Sequence, residues 1–170
     1  MGGVVSCTLY MKISREKAWD ILQDLSVPHL YVPGLVKTEI TTEKIQGVGA
    51  SRKVYQTETK GLDETVEEWN EGHGFLIRLH QGDRGAPPPF SKGHFRYAIE
   101  DQGEGTQLTC SLIYTMRWGI LGVVLDKLLL NFIMRRVIAD VTLSMRFFYE
   151  TGLTPTKQDL KEARVAWKSS

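Results

Sequence analysis

Residues 118–150 read WGILGVVLDKLLLNFIMRRVIADVTLSMRFFYE, and this stretch decides the fold. Leu121, Val124, Leu125, Leu128, Leu129, Phe132, Ile133, Val137, Val141, Met145 and Phe148 recur at helical spacing, so the pattern predicts one long apolar helix. It comes last, after a run of strand-like segments. A helix with that much apolar surface must be wrapped. A curved sheet that grips it leaves an internal space, and a space with apolar walls is a binding site. A membrane span is the weaker reading. Residues 118–134 fall short of the roughly 20 apolar residues a span needs, and Asp126, Lys127 and Asn131 interrupt them.

Working back toward the N-terminus, residues 4–13 alternate, with Val5, Cys7, Leu9, Met11 and Ile13 on one face of a strand. Ser14 is placed to cap a helix over REKAWDILQDL, whose core stripe is Ala18, Ile21, Leu22 and Leu25. Pro28 ends it, and HLYVPG makes a short second helix or turn. Strand signals then recur at LVKTEITTEKI, SRKVYQTET, LDETVEEWN, FLIRLHQ, HFRYAIED and TQLTCSLIYTMRW, separated by glycine turns and by the loop GDRGAPPPFSKG. Helices are segregated from strands, which predicts an α+β fold on an antiparallel sheet. The tail over 153–170 either adds a short amphipathic helix that docks through Leu160 and Trp167 or frays.

Composition excludes several classes. The chain has 170 residues, 42% of them hydrophobic, and a net charge of +1, which gives no field to attract nucleic acid. Cys7 and Cys110 are read as reduced thiols of a cytoplasmic protein. The start MGGVVSCTLYMKI lacks a secretory signal, and its Gly2/Ser6 myristoylation pattern is outweighed by a strand beginning near Gly3. His29, His73, His80 and His94 have no metal-ligand spacing, and neither a phosphate loop nor G-x-S-x-G occurs, so no metal or cofactor is expected.

Several segments resemble the START-like or SRPBCC superfamily, nearest its polyketide cyclase/dehydrase and lipid-transport branch, which shares the helix-grip fold of birch-pollen-type allergens. They are EKAWDILQDL after strand one, YVPGLVKTEI with Tyr31 at its aromatic position, GVGASRKV with Gly47, Gly49 and Arg52, ETVEEWNEGHGFLIRL, and GEGTQLTCSLIY. The resemblance covers about residues 4–152. It implies a seven-stranded curved antiparallel sheet around the long C-terminal helix, two short helices between strands one and two, and a ligand-binding domain over 1–152. It also implies a cavity between sheet and helix; from composition alone, a solid core would be favoured. Alternation picks the lining of that cavity: Phe75, Ile77 and Leu79 on one strand, Phe95, Tyr97 and Ile99 on the next, then Leu108, Cys110, Leu112, Tyr114, Met116 and Trp118 on the last. Strand one adds Cys7, Leu9 and Met11, and the long helix contributes Leu125, Leu129, Phe132, Ile133 and Arg136.

Periodicity leaves the facing of LDETVEEWN open. Glu64 and Glu68 share one side in regular alternation, Glu67 and Trp69 the other, and a solvated acidic face is the favoured reading. An inward Glu64 would act as a base or pair with Arg52 or Arg78. Of Arg135 and Arg136, one would face the cavity and bind an acidic group, although a surface pair is favoured. The expected function is binding or transport of a hydrophobic small molecule (lipid, quinone, polyketide or isoprenoid). The loop 82–92 and the turn Tyr31–Gly34 would flank the mouth, and Gly119–Leu125 would touch any membrane that the mouth meets. The alternative is a polyketide aromatase/cyclase using Tyr97, Tyr114, Glu64 and Arg52. Sequence places no pair of them as a dyad, which favours the carrier. A regulatory partner-binding module is a more distant third reading.

Overall fold

A computed structural model of the chain describes residues 2–117 and 130–168. Seven strands run β1 (Gly2–Met11), β2 (Lys37–Ile40), β3 (Ser51–Tyr55), β4 (Gly61–Asn70), β5 (Gly74–His80), β6 (Phe90–Gln102) and β7 (Gly105–Met116). They form one antiparallel sheet in the order β1-β7-β6-β5-β4-β3-β2. The chain leaves β1 at one edge and returns as β2 at the other. Helix α1 (Arg15–Leu22) and a short 3-10 turn at Pro28–Leu30 make that crossing. The hydroxyl of Ser14 accepts a hydrogen bond from the Lys17 amide and caps α1 as the sequence predicts.

The inward face of β1 is Val5, Cys7, Leu9 and Met11, all buried. Register sets Cys7 opposite Cys110, Tyr97 opposite Cys110 on its other side, and Phe75 opposite Tyr97, so one rank of side chains crosses four strands. Helix α2 (Asn131–Thr151) packs over β1 and β7 and ends at Gly152, whose φ of 75° gives the left-handed turn that glycine adopts readily. Helix α3 (Lys157–Lys168) follows and lies against α2. This is the α+β helix-grip fold. The residues 118–129, and with them the first half of the expected long helix, lie outside the described residues.

Two expectations need correction. The first concerns α2. Its buried stripe is Ile138, Val141, Thr142, Met145 and Tyr149, whereas Ile133 and Val137 are exposed. Successive steps of four residues advance about 400° around a helix of 3.6 residues per turn, so a series at i, i+4, i+8 drifts about 40° per step. The series Ile133, Val137, Val141, Met145 therefore walks off the core face toward its N-terminal end.

The second concerns β4. A β-bulge between Val66 and Glu68 inserts Glu67 as an extra residue. Glu64 and Val66 point inward before it, and both are buried. After it the alternation is reset. Glu68 moves to the outer face, where Arg96 Nη2 donates to it at 2.8 Å, and Glu67 takes Arg78 at 2.8 Å and His94 at 3.0 Å. Trp69 turns inward, stacked on Phe75 with centroids 5.3 Å apart and edge-on to Trp19 at 5.1 Å. The favoured solvated reading therefore holds for Glu67 and Glu68 and fails for Glu64.

Gly74, where β5 begins against β6, has the least room for a side chain among the described glycines. Its φ is 137°, and a Cβ there would lie 2.1 Å from the Tyr97 carbonyl oxygen. Gly74→Ala is expected to cost about 2–4 kcal/mol, combining backbone strain with displacement of β6. Urea unfolding of the two proteins measures it, and a loss below about 0.5 kcal/mol would contradict this packing.

Candidate functional site

The inward face of the sheet is mostly apolar, yet a charged pair sits in it. Arg52 on β3 stands directly opposite Glu64 on β4. Both are buried, at 2% and 8% exposure. Arg52 Nε donates to Glu64 Oε2 at 2.6 Å, and its Nη1 donates at 3.3 Å to the carbonyl of Leu25, just past α1. Direct cross-strand neighbours on one face meet in this way wherever the register is regular, and the bulge comes only after Glu64. Burial alone would lower the Arg52 pKa. The charge of Glu64, with smaller contributions from Tyr97 and Tyr31, outweighs that and holds it above its ordinary value, so the guanidinium stays charged.

Two tyrosines, Tyr31 and Tyr97, lie close to this pair, and a third, Tyr149, packs against Tyr31. Tyr31 follows the 3-10 turn, Tyr97 sits on β6 and Tyr149 on α2, and all are at most 5% exposed. Tyr31 meets Tyr149 edge-on at 5.6 Å and Phe148 at 5.5 Å. Tyr97 packs on Phe75 at 5.1 Å and Phe95 at 4.7 Å. Burial pushes the Tyr31 hydroxyl up to about 12, partly offset by Arg52. It pushes Tyr97 and Tyr149 well above the usual tyrosine value. The three are therefore neutral hydrogen-bond donors over the ordinary pH range. The Tyr149 hydroxyl is buried without a hydrogen-bond partner; the Tyr31 hydroxyl is close enough to feel it but does not reach bonding geometry. His29 Nδ1 is buried and unpartnered as well. It borders a crevice of about 160 Å³ that runs past Tyr31 between the 31–35 turn, Ser144 on α2 and Pro155.

Among the residues expected to line a cavity, Phe75, Ile77, Tyr97, Ile99, Cys110, Leu112, Tyr114 and Met116 are buried on the inward face, and Leu79 and Phe95 are half-buried there. Leu125 and Leu129 lie outside the described residues. Phe132, Ile133 and Arg136 are exposed, for the reason of helical phase given above, so α2 presents Met145 and Tyr149 to the interior in their place. Of the four residues named for chemistry, Arg52, Glu64 and Tyr97 come together. Tyr114 stands apart from them, packed on Phe90 at 5.1 Å near the end of β7. Sequence reasoning missed Tyr149 and gave Tyr31 no chemical role. A signal existed for each: Tyr149 falls four residues after Met145 on the core stripe, and Tyr31 occupies the aromatic position of its turn.

The chain matches the family described as polyketide cyclase / dehydrase and lipid transport over residues 5–146, and it belongs to that family. Proteins of this class bind hydrophobic small molecules in a helix-grip fold. Three solved structures share the architecture. Ara h 8.0201 aligns with a TM-score of 0.60 at 12% identity, covering 88% of this chain and 98% of its own. TTHA0849 from Thermus thermophilus aligns at 0.64 and 18% identity, covering 86% and 97%. A Thermobifida fusca protein solved by solution NMR aligns at 0.66 and 14% identity, covering 86% and 92%. At these identities the likeness is one of fold. No curated protein sequence matches.

Two outcomes test the cluster. Arg52→Met leaves Glu64 buried without its cation and is expected to cost about 3–5 kcal/mol, while Arg52→Met/Glu64→Met removes both charges and recovers most of it. Denaturant titration of the cycle reads the coupling. Raised tyrosine pKa values also set an alkaline limit. The unfolded chain ionises near the ordinary tyrosine value of 10 while the folded chain holds its protons, so the stability is intact below pH 10 and drains away as pH rises toward about 12. Thermal melts from pH 8 to 11.5 should show falling Tm above about 10, less steeply in Tyr149→Phe.

Proposed function

We propose that the protein binds and carries a neutral hydrophobic small molecule, with one oxygen-bearing end held at the tyrosine–arginine cluster. The observation that carries this reading is the buried Tyr149 hydroxyl, without a hydrogen-bond partner and next to Tyr31, in a largely apolar interior that also holds Arg52–Glu64. A solid core leaves few polar groups unpaired, because each costs about 1–3 kcal/mol. A site that waits for a ligand oxygen leaves them by design.

The chemistry of the cluster narrows the class. Arg52 and Glu64 cancel in charge. A carboxylate brought beside them would sit next to a second anion, whereas a ketone, quinone or hydroxyl oxygen accepts from neutral tyrosines at little electrostatic cost. The apolar remainder of the ligand would lie along Phe75, Ile77, Leu112 and Met145, where burial supplies about 25 cal/mol per Å². Quinones, polyketides and isoprenoid ketones or alcohols meet that description better than fatty acids do. The crevice by Tyr31 is the natural entry, since its walls are a glycine-proline turn and the link between α2 and α3.

The cyclase reading draws less support. Glu64 is held by Arg52 at 2.6 Å and is not free as a base. The tyrosines are shifted away from the range useful for proton transfer.

Native mass spectrometry of the full chain purified from cells should show a bound mass released unchanged by organic extraction. Titration with a long-chain ubiquinone analogue should bind wild-type protein, with Tyr149→Phe and Tyr97→Phe each about 2–10-fold weaker, the effect of one hydrogen bond. Equal affinity of both variants, or turnover of a model poly-β-ketone that disappears in Glu64→Gln, would overturn the carrier reading.

A further inference from the structure

The solvent side of α2 carries a feature that the interior cluster does not use. Arg164 on α3 grips Asp140 on α2, its Nη2 donating to Oδ2 at 2.6 Å. Beside this clasp the two helices leave a groove of about 270 Å³, bordered by Phe132, Arg135, Arg136, Trp167 and Lys168. Asp140, the acid of the groove, is taken by Arg164. Among the described residues, Arg135 donates to the neutral side chain of Asn131. Arg135, Arg136 and Lys168 thus gather three cations, with no ion pair to any described acid, on one edge of a chain whose net charge is +1.

Two exposed aromatic rings share the groove: Phe132, 71% exposed, and Trp167, 40%. Ile133 and Val137 on α2 and Val165 on α3 are exposed on other faces of the same two helices. Elsewhere in the described residues, exposed hydrophobic side chains are scattered over β1, the lead into β2, the 45–48 loop and Leu153. Among the described residues no helix is long and apolar enough to cross a membrane.

We propose that the groove and its apolar rim are a docking surface for an anionic phospholipid bilayer. Basic residues interleaved with Trp and Phe on helix ends are what a helix lying in the headgroup layer requires: the rings sit at the acyl boundary and the cations meet phosphate. Charge complementarity selects anionic over neutral lipid. The groove, at about 270 Å³, has room for a phosphate headgroup between its cations. None of the groove residues belongs to the interior cluster, so the surface does not depend on the carrier reading.

The test is flotation of the full chain with vesicles of phosphatidylcholine alone and with about 30% phosphatidylserine added. The expected result is binding to the mixed vesicles, little to the neutral ones, and release at about 0.5 M salt. Arg135→Gln/Arg136→Gln should bind about 25-fold more weakly, at roughly fivefold per cation. Phe132→Ser should also weaken binding, and Lys60→Gln, on another face, should not. Circular dichroism confirms that each variant is folded. Unaltered binding by the arginine variant, equal binding to both vesicle types, or no binding would overturn the proposal. Mass spectrometry of the arginine variant separates it from the interior site: retained ligand with lost vesicle binding isolates the docking role.

Discussion

The buried pairing of Arg52 with Glu64 is the constraint on which the interior depends. Two charges placed in an apolar wall cost several kcal/mol each unless they meet in good geometry. That requirement fixes the register of β3 against β4 and draws the Leu25 carbonyl, at the end of the first helical segment, into the same network. Tyr31 and Tyr97 then find themselves beside the guanidinium, and Tyr149 joins them by packing edge-on against Tyr31, so separate elements converge on one region. An apolar pair of similar volume would hold the sheet as well. It would not give the interior a polar end.

The bulge at Glu67 is the device that makes this compatible with a water-facing outer surface. Before it, β4 turns Glu64 and Val66 to the core. After it, two successive acids lie outside and Trp69 goes in, where it joins Trp19 and Phe75. The outer acids meet Arg78, His94 and Arg96 from β5 and β6, so the exposed face of the sheet is laced with opposite charges.

Much of the fold was legible in the chain because its signals are periodic. Alternation in β1 and β5–β7, the Ser14 cap and the glycine turns each dictate a local shape, and their order leaves few ways to assemble a sheet. Most of the inward residues follow from the same parity. What parity does not carry is a break in itself: nothing in LDETVEEWN marks Glu67 as the extra residue, so the facing of Glu64 stayed open. Phase over a long helix is the other weak point. A set of apolar residues spaced four apart looks like one stripe, yet it winds around the cylinder, and Phe132 and Ile133 end in solvent while Tyr149 ends in the core. Arg136 follows them outward for the same reason. The polar cluster was only partly visible, because Arg52 and Glu64 are neighbours in the register but Tyr31 and Tyr149 reach them through the tertiary fold.

Cys7 and Cys110 face one another across β1 and β7, roofed by α2, with the Cys110 sulfur 3.5 Å from that of Met145. Burial holds both thiols above their usual pKa, Cys110 at about 12, so they are poor nucleophiles while the helix is seated. The pair is therefore a built-in clock. Its alkylation rate counts how often α2 lifts from the sheet.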